Sequence, residues 1–218
     1  MKFEPKISLV IPAYNEEKVI GNVLRTIRES NYPKKKMEII VVGDCSTDKT
    51  DKIIRKFIKD NPEINIKLLK DKHEGVGAAR NLGWKNARHK IIGILDADHE
   101  MTPNYLHEIV KPLKNRNIHG ADPITLLKNK KNILAHLYWH RDRLGEEVCP
   151  ANFRVFRREV LEKINGYNNK LSAYDDQDSY DRAIEFGFKT IKNKNAILYH
   201  TYTDTLKDMW NDNRWRGA

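Results

Sequence analysis

An alternation of short apolar strands with amphipathic helices predicts an α/β fold: one domain with a mostly parallel central sheet flanked by helices. Three observations lead there. Ile7–Ile11, Met37–Val42 and Ile91–Leu95 are β-branched apolar runs, the pattern of strands covered on both faces. Between such runs, apolar residues return at helical spacing. The chain has 218 residues, 39% hydrophobic and 32% charged, enough for one sizeable core, and nothing marks a second domain.

Taken in order, Ile7–Ile11 is the first strand, and Val19, Ile20, Val23, Leu24 and Ile27 place a helix over about residues 16–30. Met37–Val42 completes a β-α-β unit. Ile53, Ile54, Phe57 and Ile58 place a second helix over 48–60, Ile66–Leu69 is a third strand, and residues 75–88 form a third helix before the strand at Ile91. Ligands of such sheets collect at the carboxyl ends of the strands, and the polar motifs fall there. Beyond Pro103 the pattern is less regular. It offers a helix near 105–113, a polar stretch rich in His and Arg over 128–147, and a strand over 152–156. A helix over 176–186, a strand Ala196–His200 and a terminal amphipathic helix over 205–215 complete it. There is no internal repeat, low-complexity tract or Pro- or Gly-rich linker.

Lys and Arg number 40 against 30 Asp and Glu, a formal net charge of +10, which favours anionic partners. Two cysteines, Cys45 and Cys149, supply neither a disulfide framework nor a metal cluster and suit a reducing compartment. No apolar run is long enough to cross a bilayer, and the charged N-terminus does not read as a signal peptide. A cytoplasmic location is expected, with peripheral contact at the inner face of the membrane as an extension of it.

The chemistry-bearing residues begin at Asp96-Ala97-Asp98, where an apolar strand ends in two carboxylates one residue apart. That spacing can hold a hard divalent cation, which in turn can neutralise a diphosphate. A solvated turn explains the same spacing. Pro12 to Glu17 follows the first strand, so Asn15 and Glu16 either reach a nucleotide or cap the next helix. Asp44-Cys45-Ser46-Thr47-Asp48 leaves the second strand, with its Ser and Thr able to cap the helix that follows. Gly75-Val76-Gly77-Ala78-Ala79-Arg80 lacks the third glycine of a dinucleotide fingerprint and reads as a tight helix entry, with Arg80 able to meet phosphate. Asp175-Asp176 supplies an acidic first helical turn, which complements the helix dipole and also places two titratable carboxylates side by side.

Together these motifs, with Ala151–Leu161, Asp178, Arg182, Gly187, His200 and Arg214-Trp215, resemble family 2 glycosyltransferases of the GT-A fold in order and over nearly the whole chain. The polyprenyl-phosphate sugar transferases are among the relatives. The resemblance implies a Rossmann-like domain over residues 1–218, with 1–100 as the nucleotide-binding half and 101–218 as the acceptor-binding half. It implies a nucleoside-diphosphate sugar donor and an inverting transfer to an acceptor hydroxyl or phosphate, either a saccharide or a polyprenyl-phosphate or other lipid-linked acceptor. Nucleic acid is not an expected partner. Pro12, Tyr14, Asn15, Glu16, Asp44, Arg80, Asp96, Ala97 and Asp98 would bind the donor, and Arg214 and Trp215 would complete the binding residues, with Trp215 stacking on an acceptor sugar or anchoring the last helix. Asp96, Asp98 and His200 would hold Mg²⁺ or Mn²⁺, and Asp176 would be the base. The family pattern has two adjacent acidic or amide residues where this chain has Gly43-Asp44, and Gln where it has Asn211.

Two other classes fit less well. A sugar-phosphate nucleotidyltransferase needs glycines and cations after the first strand, and Ile11 to Glu16 has neither. A non-catalytic basic module for polyanions or membranes, suggested by His136, Trp139, His140, Arg141 and Arg143, has no use for carboxylates at 96, 98, 175 and 176.

Overall fold

The computed structural model describes residues 2–72, 74–142, 154–171, 174–202 and 205–206. Eight strands form one sheet: β1 (Ile7–Ala13), β2 (Met37–Gly43), β3 (Ile66–Lys70), β4 (Ile91–Ile94), β5 (His99–Met101), β6 (Gly120–Leu127), β7 (Val155–Arg157) and β8 (Thr190–His200). Their order is β3-β2-β1-β4-β7-β6-β8-β5. Helices α1 (Ile20–Glu29), α2 (Thr50–Asp60), α3 (Val76–Asn86), α4 (Tyr105–Val110), α5 (Ile133–Asp142), α6 (Arg158–Ile164) and α7 (Asp175–Glu185) connect them.

Period-two alternation builds the core. Ile7, Leu9, Ile11, Ile39 and Val41 face one side of the sheet with Ile20, Val23, Leu24, Ile27 and Ile54. Val10, Ile40, Val42, Ile92 and Ile94 face the other with Ala79, Trp84 and Phe156. β2, buried along its whole length, and β1 are the central strands the apolar runs predict. α3 lies close to β1 because residue 83 is glycine: a Cβ there would stand 2.2 Å from Val10 Cγ1.

β1, β2, β3 and β4 run parallel, so their carboxyl ends share one edge, and β1 marks the point where the winding reverses direction. β7 then enters antiparallel to β4, and β5 antiparallel to β8. Ile94 and His99 are joined by four residues that include a turn, yet their strands stand four places apart in the sheet. A flat sheet would separate them by about 19 Å, more than a bent link of that length spans. The sheet therefore curls, which brings β5 and β8 back beside the end of β4.

Several elements depart from the expectations. The helices start later than periodicity indicates, at Ile20, Thr50 and Val76, because the polar residues before them make loops. The polar stretch at 128–147 contains α5, as far as it is described. The strand expected at 152–156 is β7, displaced to Val155–Arg157, with residues 151–153 outside the described residues. The strand at 196–200 is the end of the longer β8, while β5, β6 and α6 are elements beyond those expected. Of the terminal helix, only Thr205 and Leu206 are described. Among the described residues, no helix is long and apolar enough to cross a membrane.

At the amino end of the sheet, away from the polar loops, buried Glu38 on β2 ties four elements together. It accepts from Ser8 Oγ at 2.7 Å, Lys67 Nζ at 3.0 Å, and Arg88 N and Nε at 2.8 Å. Burial alone would raise its carboxyl, but the Arg88 backbone N–H, Ser8 and Lys67 outweigh it and bring the group from 4.5 to about 2. A depressed carboxylate stabilises the fold above its unfolded value and loses that contribution as pH falls towards its folded one. Glu38→Gln should therefore cost about 3 kcal/mol at neutral pH, and the difference from wild type should shrink between pH 4.5 and 2 in urea titrations. A pH-independent difference would show that the carboxylate charge is not what holds these elements.

Candidate active site

The site is assembled at the carboxyl edge of β1, β2 and β4. Pro12 and Ala13 end β1 opposite Val42 and Gly43, and buried Asp44 donates its N–H to Ala13 O at 3.0 Å. The two loops that follow are stitched to each other. Asn15 donates its N–H to Ser46 Oγ at 3.1 Å and accepts from Thr47 N at 2.8 Å. Glu16 N donates to Thr50 Oγ1 at 2.8 Å, and Glu17 N to Asp48 Oδ2 at 3.0 Å. Asn15 and Cys45 take the left-handed conformation, with φ of 55° and 59°, to turn the chain back towards its neighbour.

This corrects the capping expectation. α1 begins at Ile20 after Val19, with no side-chain cap, so neither Asn15 nor Glu16 caps it. At α2 it is Asp48, not Ser46 or Thr47, that receives the N–H of Thr50, at 2.9 Å. Tyr14 and Glu16 remain half-buried on the loop beside Asp44.

Gly75, at φ 92°, turns the chain into α3 and delivers Arg80 into the interior. Arg80 Nη2 donates to Asp96 Oδ1 at 2.9 Å, and Nη1 to Asp175 Oδ2 at 2.5 Å. Buried Arg154, just before β7, donates from Nη1 to the other Asp96 oxygen at 2.6 Å. Burial would raise the Asp96 carboxyl, but Arg154 first and Arg80 second hold it well below the usual range. Asp175 goes the other way: burial raises it, Arg80 opposes, and Asp176 adds to the rise.

Two residues beyond Asp96, Asp98 Oδ2 lies 2.7 Å from His200 Nε2. Burial pulls the Asp98 carboxyl up, and the interaction with His200 brings it below its ordinary value. His99 and His200 are cross-strand neighbours in β5 and β8, with ring centroids 4.7 Å apart. Burial takes the His99 imidazole down to about 3, so it is neutral at physiological pH. One ligand atom each from Asp98, His99 and His200 lies within 4.8 Å of the others.

Asp176 stands in the first turn of α7, half-buried, accepting from Gln177 N at 2.9 Å. Tyr174, at φ 60°, starts this helix, and Arg182 anchors it by donating to Gly166 O at 2.9 Å and Asp178 Oδ2. Arg80 and Arg154 both feel the charge of Asp176. The arginines thus join the end of β4 to the start of α7.

A family model described as glycosyl transferase family 2 matches residues 8–165, which is most of the chain and includes β1 to β7. The chain belongs to that family. Curated relatives carry glycosyltransferase names. The chain is 29% identical to "Probable glycosyltransferase YdaM" of Bacillus subtilis, over 99% of this chain and 55% of that protein. It is 34% identical to "Glycosyltransferase AglE" of Haloferax volcanii, over 84% of this chain and 63% of that protein. The family 2 chain described here therefore spans little more than half the length of these relatives. Its fold matches the Pyrobaculum calidifontis mannosyltransferase PcManGT, solved in complex with GDP-Man and Mn²⁺, with a TM-score of 0.78 at 23% identity, over 97% of this chain and 61% of that one. It also matches Staphylococcus aureus TarS 1-349 in complex with UDP-GlcNAc, with a TM-score of 0.74 at 20% identity, over 92% of this chain and 59% of that one.

Pro12, Tyr14, Asn15, Glu16, Asp44, Arg80, Asp96, Ala97, Asp98, Asp176 and His200 all sit on or beside this edge of the family 2 domain. Arg214 and Trp215 lie outside the described residues. Arg80, expected at phosphate, directs both terminal nitrogens to carboxylates, and Asp96 faces arginines on both oxygens. Sequence reasoning did not single out Arg154, His99 or Asp122. The last is buried on β6, where burial lifts its carboxyl to about 6 against the Arg154 backbone N–H and guanidinium. His99 was signalled only by standing next to Asp98 at the start of a strand.

Proposed function

We propose that this chain carries the active site of an inverting glycosyltransferase that takes a sugar from a nucleoside diphosphate and passes it to an acceptor hydroxyl or phosphate. The observation that carries the reading is the Asp96–Arg80–Asp175 link. It joins the carboxylates after β4 to the carboxylate pair of α7, which supports a donor site and an acceptor base side by side. The Pro12–Glu16 loop and Asp44 form the wall for the nucleoside, held rigid by the Asn15 stitches.

With a hydroxyl acceptor, Asp176 accepts its proton as the oxygen attacks the anomeric carbon, whereas a phosphate acceptor is already ionised and attacks without a base. The bond from that carbon to the diphosphate oxygen breaks on the opposite face. Arg80 and Arg154 position the carboxylates and place fixed positive charge beneath the cleft. The residues present fit a divalent cation, Mn²⁺ or Mg²⁺: Asp98 Oδ1 is buried without a hydrogen-bond partner, and Oδ2 pairs with His200. Asp98 and His200 would hold the ion, which would supply charge to the departing diphosphate.

For the acceptor we propose a polyprenyl-phosphate or other lipid-linked compound, supported by the net charge of +10 and its preference for phosphate-bearing surfaces. The name of the TarS relative specifies a poly(ribitol-phosphate) acceptor for that protein, which is consistent with phosphate-bearing chemistry. Product from free saccharides but none from detergent-solubilised lipid phosphates would overturn this acceptor class.

Thermal unfolding with a panel of nucleotide sugars tests the donor. A ligand at a hundred times its dissociation constant stabilises by about 2.7 kcal/mol, or about 5–10 °C for a domain of this size. One nucleotide sugar should give such a shift with Mn²⁺ present, and Asp98→Ala should lose the metal-dependent part of it. No shift with any donor, or a shift in Asp98→Ala equal to wild type, would remove the metal-assisted reading.

A further inference from the structure

We propose that His99 is a third protein ligand of the divalent cation, so that Asp98, His99 and His200 together select a transition ion such as Mn²⁺ over Mg²⁺. This rests on the metal-dependent reading above and deepens it. The ligand set differs from the one the sequence suggests, since His99 stands where Asp96 was expected.

In an antiparallel pair, directly opposed residues project to the same face. β5 and β8 pair His99 with His200, so the curl that returns β5 to the end of β4 sets two imidazoles beside Asp98. One nitrogen from each ring and one Asp98 oxygen fall within 4.8 Å of one another. His99 is only 2% exposed, and its Nδ1 has no hydrogen-bond partner. That nitrogen lies 3.6 Å from Asp98 Oδ1 and 3.5 Å from Asp96 Oδ2, too far for a hydrogen bond to either. Leaving a buried polar atom unmet destabilises the fold, and a cation among these three groups would recover that loss.

Asp96 is less available. Both its oxygens receive guanidinium N–H groups, from Arg80 at 2.9 Å and Arg154 at 2.6 Å. Freeing one for a metal would strand a buried arginine. The set that remains is two imidazoles and one carboxylate. Mg²⁺ prefers oxygen ligands and gives up water reluctantly, whereas imidazole suits transition ions; Mn²⁺, the weakest of that series, still accepts imidazole more readily than Mg²⁺ does. The same cleft thereby gains a preference that an all-carboxylate site would lack.

The test uses the whole chain stripped of metal by chelation, with no donor present, titrated with Mn²⁺ and separately with Mg²⁺. Pulsed electron paramagnetic resonance on the Mn²⁺-loaded wild type should detect two directly bound imidazole nitrogens. In His99→Phe one should remain, Mn²⁺ binding should weaken by about ten-fold or more, and Mg²⁺ binding should change by about two-fold or less. Fewer than two nitrogens on wild-type Mn²⁺ would overturn the proposal, whether or not the variant folds. Equal weakening for both ions would overturn the selectivity. If only His200 nitrogen is found while a nucleotide sugar is still turned over with Mn²⁺, the proposed function stands and His99 alone is removed. Turnover that needs no divalent ion would remove both metal claims.

Discussion

Asp176→Asn is expected to lower turnover onto a hydroxyl acceptor by about three orders of magnitude, within the range that general acid–base groups contribute, while the donor's dissociation constant changes by about two-fold or less. The substitution keeps the size of the side chain and an oxygen able to accept the Gln177 N–H, so the first turn of α7 should survive. What is lost is the basic oxygen. Asp176 has the position for the role: it is half-buried at the helix start, beside Asp175, and close enough to Arg80 and Arg154 to act on both charges. Single-turnover measurements with saturating donor separate the outcomes. A fall in kcat at constant donor affinity supports the base. A parallel loss of donor binding would make Asp176 a binding residue instead, and unchanged turnover would send the search for the base elsewhere in the cleft.

Arg80→Met should be the most destabilising single change in the site, costing about 3–5 kcal/mol because it strands a buried partner charge. Methionine can fill much of the stem's volume, so the loss should be chiefly electrostatic. Asp96 keeps Arg154, but Asp175 loses its guanidinium partner in a buried position. The sign of the pH dependence follows from Asp175, which burial already raises and which Arg80 opposes. Without Arg80 the carboxyl rises further. A carboxyl whose folded value exceeds its unfolded one favours folding when protonated, and that advantage is lost as pH rises through the folded value. The deficit of Arg80→Met relative to wild type should therefore be smallest in mild acid and grow towards neutrality in urea titrations. Adding Asp175→Asn should recover part of it at neutral pH. A deficit that is constant with pH and untouched by the second substitution would show that Arg80 contributes by packing, for example over the Tyr167 ring, and not by charge.

The same arginine explains why the site is organised as it is. With Asp175 and Asp96 on its two terminal nitrogens, it fixes the distance between the acidic turn of α7 and the end of β4. Catalytic groups placed on rigid elements and supported by a second layer of contacts hold productive geometry better than groups on free loops. Here the support comes from Arg80, which the sequence alone allows to meet phosphate, and from Arg154, which no local pattern marks.

The features legible in the chain alone are those written in short-range patterns. Near-continuous apolar runs at Ile7–Ile11 and Met37–Val42 specify strands with two buried faces, and the 3.6-residue return of Val19 to Ile27 specifies a helix on one of them. Parallel strands then force the polar residues after each one, from Asn15 to Asp44 to Asp96 and Asp98, onto one edge. The family motifs follow from the same local order. Only the tertiary structure decided who pairs with whom. Arg80 meets Asp175 across 95 residues, Arg154 meets Asp96 across 58, and His200 meets Asp98 across 102. Those partnerships depend on the curl of the sheet and the register of β5 against β8, where a slip of one residue would turn His200 to the other face. Register and curl are set by the packing of the whole core and leave no periodic trace around His99 or Arg154, so neither could be recognised before the chain was folded.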